Sequence, residues 1–241
     1  MKKLLLLIFS ALPLLALTAD EIIKGVEHNI LADSGYSKVA MTVTTSRGER
    51  TMKMESWNRG HDKSFIKVLY PFKDRGITFL KIGTTMWQYV PKIEKTIKIP
   101  SSMMMQSWMG SDFTNDDMAK ESSIVEDYDA KITAEDAETY TLTLTPKPDA
   151  AVVWGSIVME VAKAHFVPLR AIYYDEDGEE QRVLTYSDVK VIDGRYLPLV
   201  MTLVPSDKQR NKTVVTMSDV DFDAKIDDSR FERSALKRYS R

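Results

Sequence analysis

The chain has 241 residues, of which 33 are Lys or Arg and 35 Asp or Glu, with 44% hydrophobic residues, 13 Met, 4 Trp and no Cys. A formal net charge of −2 offers no basic field to a phosphate backbone, which argues against a nucleic-acid partner, and the missing Cys removes disulfides, thiolate metal sites and thiol nucleophiles. At 28% charged and 9% aromatic residues the chain is not low-complexity, and it carries enough apolar surface to offset the entropy of ordering.

Met1-Lys2-Lys3 leads into an almost uninterrupted apolar run from Leu4 to Leu17, followed by Thr18-Ala19-Asp20. These are the basic, apolar and small-residue parts of a secretory signal; the run is too short to span a bilayer and Pro13 interrupts it. Residues 1–19 are therefore read as a signal peptide cleaved after Ala19, and residues 20–241 as one domain. With no Cys beside the cleavage point, no lipid anchor is expected there. Loss of Lys2 and Lys3 leaves 31 basic against 35 acidic groups, the balance of a soluble, mildly acidic exported protein. The bacterial periplasm is the expected compartment.

From Asp20 to Ala32, Ile22, Ile23, Val26, Ile30 and Leu31 recur at helical spacing, which predicts an amphipathic helix ended by Gly35. From Tyr36 the period becomes two: Val39, Met41 and Val43, then Met52 and Met54, alternate with polar residues across the turn Ser46-Arg47-Gly48. Asn58-Arg59-Gly60 makes a second turn before a strand from Phe65 to Tyr70. Strand patterns follow at 77–82, 86–90, 96–99, 130–132, 140–145, 153–161, 169–174, 182–191, 196–204 and 213–222, with Asp177-Gly178 and Asp193-Gly194 as hairpin turns. About a dozen strands joined by short turns, with no alternating helices, predict a mainly β (α+β) fold with an antiparallel sheet. A meander of that size must curl around its apolar face into a barrel or half-barrel.

The strands are interrupted between Pro100 and Ile124, where five of the 13 Met fall between residues 103 and 118. Ser102 is placed to cap a short helix in which Met104 faces Trp108 and Met105 faces Met109, with Gly110 ending it. Thr114 and Asp117 form a capping-box pattern, with Asp in place of Glu, that opens a second short helix through Met118 and Lys120. Methionine adapts to irregular apolar shapes, so the insertion reads as a helical lid over the concave face of the sheet, the competing reading being plain core packing.

Catalytic chemistry has little support. The three histidines, His28, His61 and His165, form no metal spacing, and the nucleophile-elbow, phosphate-loop and dinucleotide motifs are missing. Asp116-Asp117, Asp175-Glu176-Asp177 and Asp227-Asp228 sit at a helix start or in turns, where capping or solvated roles predominate. Lys92, Lys95 and Lys98 read as the solvated side of a strand or a docking patch. Neither enzyme activity nor a cofactor or metal is expected.

The segment Asp74-Arg75-Gly76-Ile77-Thr78-Phe79-Leu80, then Met86-Trp87-Gln88-Tyr89-Val90-Pro91, Ile97-Lys98-Ile99-Pro100 and Trp108-Met109-Gly110-Ser111-Asp112-Phe113-Thr114-Asn115-Asp116-Asp117 resembles the outer-membrane lipoprotein-sorting family of LolA-like periplasmic proteins. The resemblance extends in layout over the whole mature chain, with its sharp motifs in residues 74–117. It implies a half-open antiparallel barrel whose apolar concave face, covered by helices, receives acyl chains, and a connection with inner-membrane lipid exporters of the resistance–nodulation–division type. LolA itself uses an arginine to hold its lid closed; Arg59, Arg75 and Arg170 are the candidates for that part here.

These readings converge on a monomeric periplasmic carrier that takes a lipid or lipoprotein acyl chain from an inner-membrane exporter and moves it towards the outer membrane. The expected lipid-binding residues are Met86, Trp87, Met104, Met105, Trp108, Met109 and Phe113, with Trp57, Phe65 and Trp154 as wall residues. The alternative with the same fold is an envelope lipid sensor or adaptor without delivery. A small outer-membrane barrel is disfavoured by the charge content and by a final Tyr239-Ser240-Arg241 with no terminal aromatic.

Overall fold

The computed structural model describes residues 17–119, 124–150, 152–207 and 211–241. The expected signal segment lies outside the described residues apart from Leu17, Thr18 and Ala19, and Lys120 is also outside them. The first element is helix α1, Ala19–Ile30. It begins with a full capping box: the Thr18 hydroxyl accepts from the Glu21 N–H at 3.3 Å, and the Glu21 carboxylate accepts from the Thr18 N–H at 2.8 Å, satisfying donors that a helix start leaves open. Ile22, Ile23 and Val26 are buried, as their spacing requires. Gly35 does not end this helix. Leu31 closes it in extended conformation, its N–H donating to the Glu27 carbonyl, and Gly35 stands in the next strand against the Asn58 side chain.

Six strands follow: β1 (Ser34–Thr45), β2 (Gly48–Arg59), β3 (Lys63–Tyr70), β4 (Thr78–Ile82), β5 (Thr85–Val90) and β6 (Lys95–Lys98). After a segment that contains α2 (Asn115–Ala119) and α3 (Ile124–Asp127) come β7 (Tyr128–Glu135), β8 (Thr139–Pro146), β9 (Ser156–Ala162), β10 (Pro168–Tyr174), β11 (Glu180–Ile192), β12 (Arg195–Pro205) and β13 (Lys212–Asp221). All thirteen form one antiparallel sheet in the order β6-β5-β4-β3-β2-β1-β13-β12-β11-β10-β9-β8-β7. The chain thus starts mid-sheet, winds outward to β6, crosses to the far edge and winds back, so that β13 pairs with β1 from Val39↔Met217 to Thr44↔Lys212. Tight turns hold the register. At Asp193-Gly194 both residues have positive φ, 51° and 78°, the conformation that matches a two-residue hairpin to strand twist.

The sheet curls without closing, and its edges are β6 and β7. Strand β6 is exposed along its whole length, and Lys95 and Lys98 on it discourage edge-to-edge pairing.

A residue period of two sorts the side chains. The concave face carries Met41, Val43, Met52, Met54, Ile66 and Val68 on one wing, and Leu142, Leu144, Ile157, Met159, Leu184 and Leu203 on the other. Helix α1 packs on the second group through Ile22, Ile23 and Val26. The convex face of the first wing is covered by the chain's end, a 3-10 turn at Asp228–Phe231 and helix α4, Arg233–Arg238. There Phe231, Ala235 and Leu236 pack with Phe65, Leu80 and Tyr89, while Trp57 and Trp87 lie against the same group. The Thr78 hydroxyl donates to the Leu236 carbonyl at 2.7 Å, and the Arg230 guanidinium lies 4.0 Å from the Trp57 ring centre.

The concave core predicts a contrast. Leu144 is fully buried and Val191 is 62% exposed, so Leu144→Ala should lower the unfolding free energy by about 2–5 kcal/mol and Val191→Ala by no more than about 0.5 kcal/mol, both read from denaturant-unfolding midpoints.

Candidate functional site

Between α1, the segment 101–119 and the concave face lies a cavity of about 460 Å3. Its walls are apolar side chains from both wings, among them Val39, Ile66, Ile157, Leu184 and Val215. Among the described residues six methionines line it: Met41, Met54, Met159, Met201 and Met217 on strands and Met118 on α2. One end lies beside Ile30, Leu31, Tyr36, Asn58 and Phe222. The register places the start of β11 and β13 and the end of β1 at the opposite end, and there the segment 101–119 closes over it.

That segment is a lid with little regular helix. Short 3-10 turns at Ser101–Met103 and Trp108–Gly110 replace the expected helix from Ser102 to Met109. The helix cannot continue because its carbonyls are taken by the chain that follows. The Asn115 side-chain amide donates to the Met103 and Gln106 carbonyls at 2.9 and 3.2 Å, and the Asp116 N–H to the Met104 carbonyl at 2.8 Å. Met109 and Gly110 then turn the chain with φ of 51° and 72°. The Thr114–Asp117 capping box does form, with the Asp117 carboxylate accepting from the Thr114 N–H at 2.8 Å and its hydroxyl at 2.9 Å.

Three strands tether the lid. From β2, the Arg50 guanidinium donates to the Met109 carbonyl. From β13, the buried Thr213 hydroxyl accepts from the Asp112 N–H at 3.0 Å and donates to its carboxylate at 2.7 Å. From β11, Arg182 binds Asp117 through two parallel N–H···O bonds of 2.7 Å each. The two side chains of this last pair are only 8% and 15% exposed. The Arg182 guanidinium packs against two adjoining aromatic rings, 4.2 Å from the centre of Trp154 and 4.4 Å from that of Tyr173, an arrangement that attracts a cation through the ring quadrupoles. Burial by itself would pull the Arg182 pKa down, but the hydrogen bonds and charge of Asp117 outweigh it and hold the guanidinium protonated. Burial pushes the neighbouring Tyr128, Tyr173 and Tyr186 phenols up, so they face the hollow as neutral hydroxyls. Among the described residues no group of three or more His, Cys, Asp or Glu could hold a metal ion.

The family model of an uncharacterized-protein-like family matches residues 60–238, well over half of the chain. The chain belongs to that family. Among solved structures it is similar to a DUF1329 family protein from Desulfovibrio piger (24% identity, 90% of this chain and 97% of the other, TM-score 0.81). It is also similar to a LolA superfamily protein from Nitrosomonas europaea (22%, 91% and 100%, 0.77) and to a protein domain from Vibrio parahaemolyticus described as outer-membrane lipoprotein-sorting (21%, 91% and 98%, 0.80). No curated protein matches significantly. The fold is LolA-like: a mostly β, curled and unclosed antiparallel sheet with few helices.

Within this LolA-like half-barrel the candidate binding residues separate. Trp108, Phe113 and Trp154 line the hollow. Met86 is buried in the first wing's core, and Met104 and Met109 pack against that core from the lid. Met105 is 53% exposed. Trp57, Phe65 and Trp87 are on the convex side beneath α4: Trp57 pairs with Phe65 across β2 and β3, one residue out of phase with the cavity-lining Met54, Ser56, Ser64 and Ile66, so they are not walls of the hollow.

The arginines that reach the lid, Arg50 and Arg182, are none of the three candidates. Arg59 pairs with Asp228 and donates to the Ile226 carbonyl on the convex side, and Arg170 pairs with Glu160 at the surface. For Arg75 the structure gives no lid contact. Arg182 had a sequence signal: it is in phase with Leu184 and Tyr186, so an arginine occupies an inward position of its strand. What pointed away from it was the expectation that inward positions are apolar.

A buried pair with one partner removed strands a charge. Asp117→Ala should therefore cost about 3–5 kcal/mol in urea unfolding, whereas the double variant Asp117→Leu with Arg182→Met, which removes both charges, should recover most of that loss.

Proposed function

We propose that this protein is a periplasmic carrier that holds the acyl chain of a lipid or lipoprotein in its hollow and moves it from an inner-membrane exporter towards the outer membrane, acting by binding rather than by catalysis. The observation that carries the reading is the apolar cavity of about 460 Å3 under a lid fixed by polar tethers. A solid core would leave no such space, because protein interiors are packed to crystal-like density. Ligand sites of roughly 300–1,000 Å3 with mostly apolar walls and a few placed polar groups are the usual small-molecule form, and this hollow falls in that range.

The driving force is apolar burial. At about 0.8 kcal/mol per buried methylene, a dozen methylenes give roughly 10 kcal/mol before ordering costs. This is comparable to what holds a single chain in a bilayer, so uptake needs an energised donor and release an acceptor. Methionine suits both states of the hollow, since its unbranched side chain can fill the space when empty and move aside when cargo enters. The likeness in fold to a LolA superfamily protein and to a lipoprotein-sorting domain supports the carrier reading. The basic and apolar start of the chain supports export, and among the described residues no helix is long and apolar enough to cross a membrane.

The test is native mass spectrometry of the full chain purified without detergent from its own envelope, followed by lipid extraction. Co-purified acyl lipid is the expected result. Met201→Trp, at a half-buried wall position, should displace most of that lipid with the unfolding midpoint little changed; a protein that emerges without lipid and takes up none from vesicles would end the carrier reading.

A further inference from the structure

The Arg182–Asp117 pair raises a question about cargo. Arg182 is the only Lys or Arg among the described residues that line the hollow. Its guanidinium already offers the two-pronged donor set that matches a carboxylate or phosphate edge, occupied at 2.7 Å by both oxygens of Asp117. Another of its donors, Nε, is buried with no hydrogen-bond partner. Trp154 and Tyr173 pack against the guanidinium and Arg182 is on strand β11 of the sheet, while Asp117 belongs to the lid. Asp116, the other lid carboxylate that lines the same part of the hollow, is on α2 with Asp117.

Any displacement of the lid takes both carboxylates away together and leaves Arg182, which is 7% exposed with the lid seated, without its paired counter-charge. An uncompensated buried charge is among the most costly states a protein can adopt. A neutral hydrocarbon entering the hollow does nothing to relieve it. An amphiphile whose head group carries an anionic oxygen pair does, by taking the place that Asp117 vacates, and the Tyr128, Tyr173 and Tyr186 hydroxyls lining the cavity are further donors close to that end.

We infer that the hollow selects amphiphiles with an anionic carboxylate or phosphate head, and that this head group exchanges with Asp117 on Arg182 as the cargo enters. The latch that closes the empty hollow is then also the site that reads the cargo. This inference rests on the carrier reading and goes beyond it by naming the head-group chemistry. The exchange balances charge at each stage: the guanidinium is paired with the lid carboxylate before entry and with the cargo anion after it, and no proton has to move.

The experiment is displacement of the neutral dye N-phenylnaphthylamine from the full chain by four single-chain competitors: palmitate, lysophosphatidate, methyl palmitate and monopalmitoylglycerol. In the wild-type protein at least one of the two anions should displace the dye at a concentration roughly tenfold lower than either neutral compound, the factor expected of a charge-assisted hydrogen-bonded pair. Which anion prevails separates a carboxylate from a phosphate source. Asp117→Asn, which removes the resident competitor, should widen the gap between anionic and neutral competitors, and Arg182→Gln should abolish it. Equal displacement by anionic and neutral competitors in the wild-type protein would overturn the head-group inference and leave the apolar carrier standing. If neither the dye nor any competitor binds, the carrier reading fails and this inference with it. The wild-type comparison decides the matter even if both variants fold poorly.

Discussion

A sheet of thirteen antiparallel strands with Val, Leu, Ile and Met along one face has to bury that face, and because its two edge strands never meet, it cannot do so by closing on itself. The rest of the structure follows from how the concavity is filled. Helix α1 supplies an apolar ridge of Ile22, Ile23 and Val26 to one wing. The lid brings Trp108 to the other, where its ring stacks at a tilt 5.2 Å from Phe79. Neither element is large enough to complete the core, and the volume left between them is the hollow. The hollow is a shortfall of packing, placed where elements from distant parts of the chain come together.

Polar contacts decide where the apolar parts stop. Asn29 on α1 is buried and fully engaged, donating to the His165 carbonyl at 2.7 Å and accepting from the Tyr196 N–H at 2.9 Å, which fixes the helix against two hairpin turns. Gly25 lets α1 approach the turn closely, since a Cβ there would lie 2.4 Å from the Phe166 ring. On the lid, Thr213, Arg50 and Arg182 reach up from three separate strands. These bonds are directional, so the lid has one seated position, and a guanidinium–carboxylate pair at its centre makes that position sensitive to charge. Apolar burial gives the hollow its capacity; the tethers give it a defined closed state.

Much of the architecture was legible in the sequence because it depends on local periodicity. The alternation through Val39, Met41 and Val43, the positive-φ turn at Asp193-Gly194, the apolar stripe of α1 and the Thr114–Asp117 cap are set by neighbours a few residues apart, and each is found where the pattern puts it. The terminal helix was missed although Phe231, Ala235, Leu236 and Tyr239 carry a helical spacing, because six residues are too few to make a convincing period.

The lid and the site depended on partners far away in the chain. The Met-rich run from 103 to 109 has the spacing of a helix, yet Asn115 and Asp116 compete for its carbonyls and break it into turns. Trp57 and Phe65 are apolar and on strands, but only the curl decides that their side is convex and belongs to α4 rather than to the hollow. Arg182 and Asp117 stand 65 residues apart, and nothing local marks them as a pair. The sequence by itself determined the strands, their antiparallel order of succession and the apolar face that must curl, since these follow from the period of side chains along a single chain. Which apolar residues surround empty space, and which charge closes it, was decided by tertiary structure, because a cavity and a buried ion pair exist only between elements that the fold brings together.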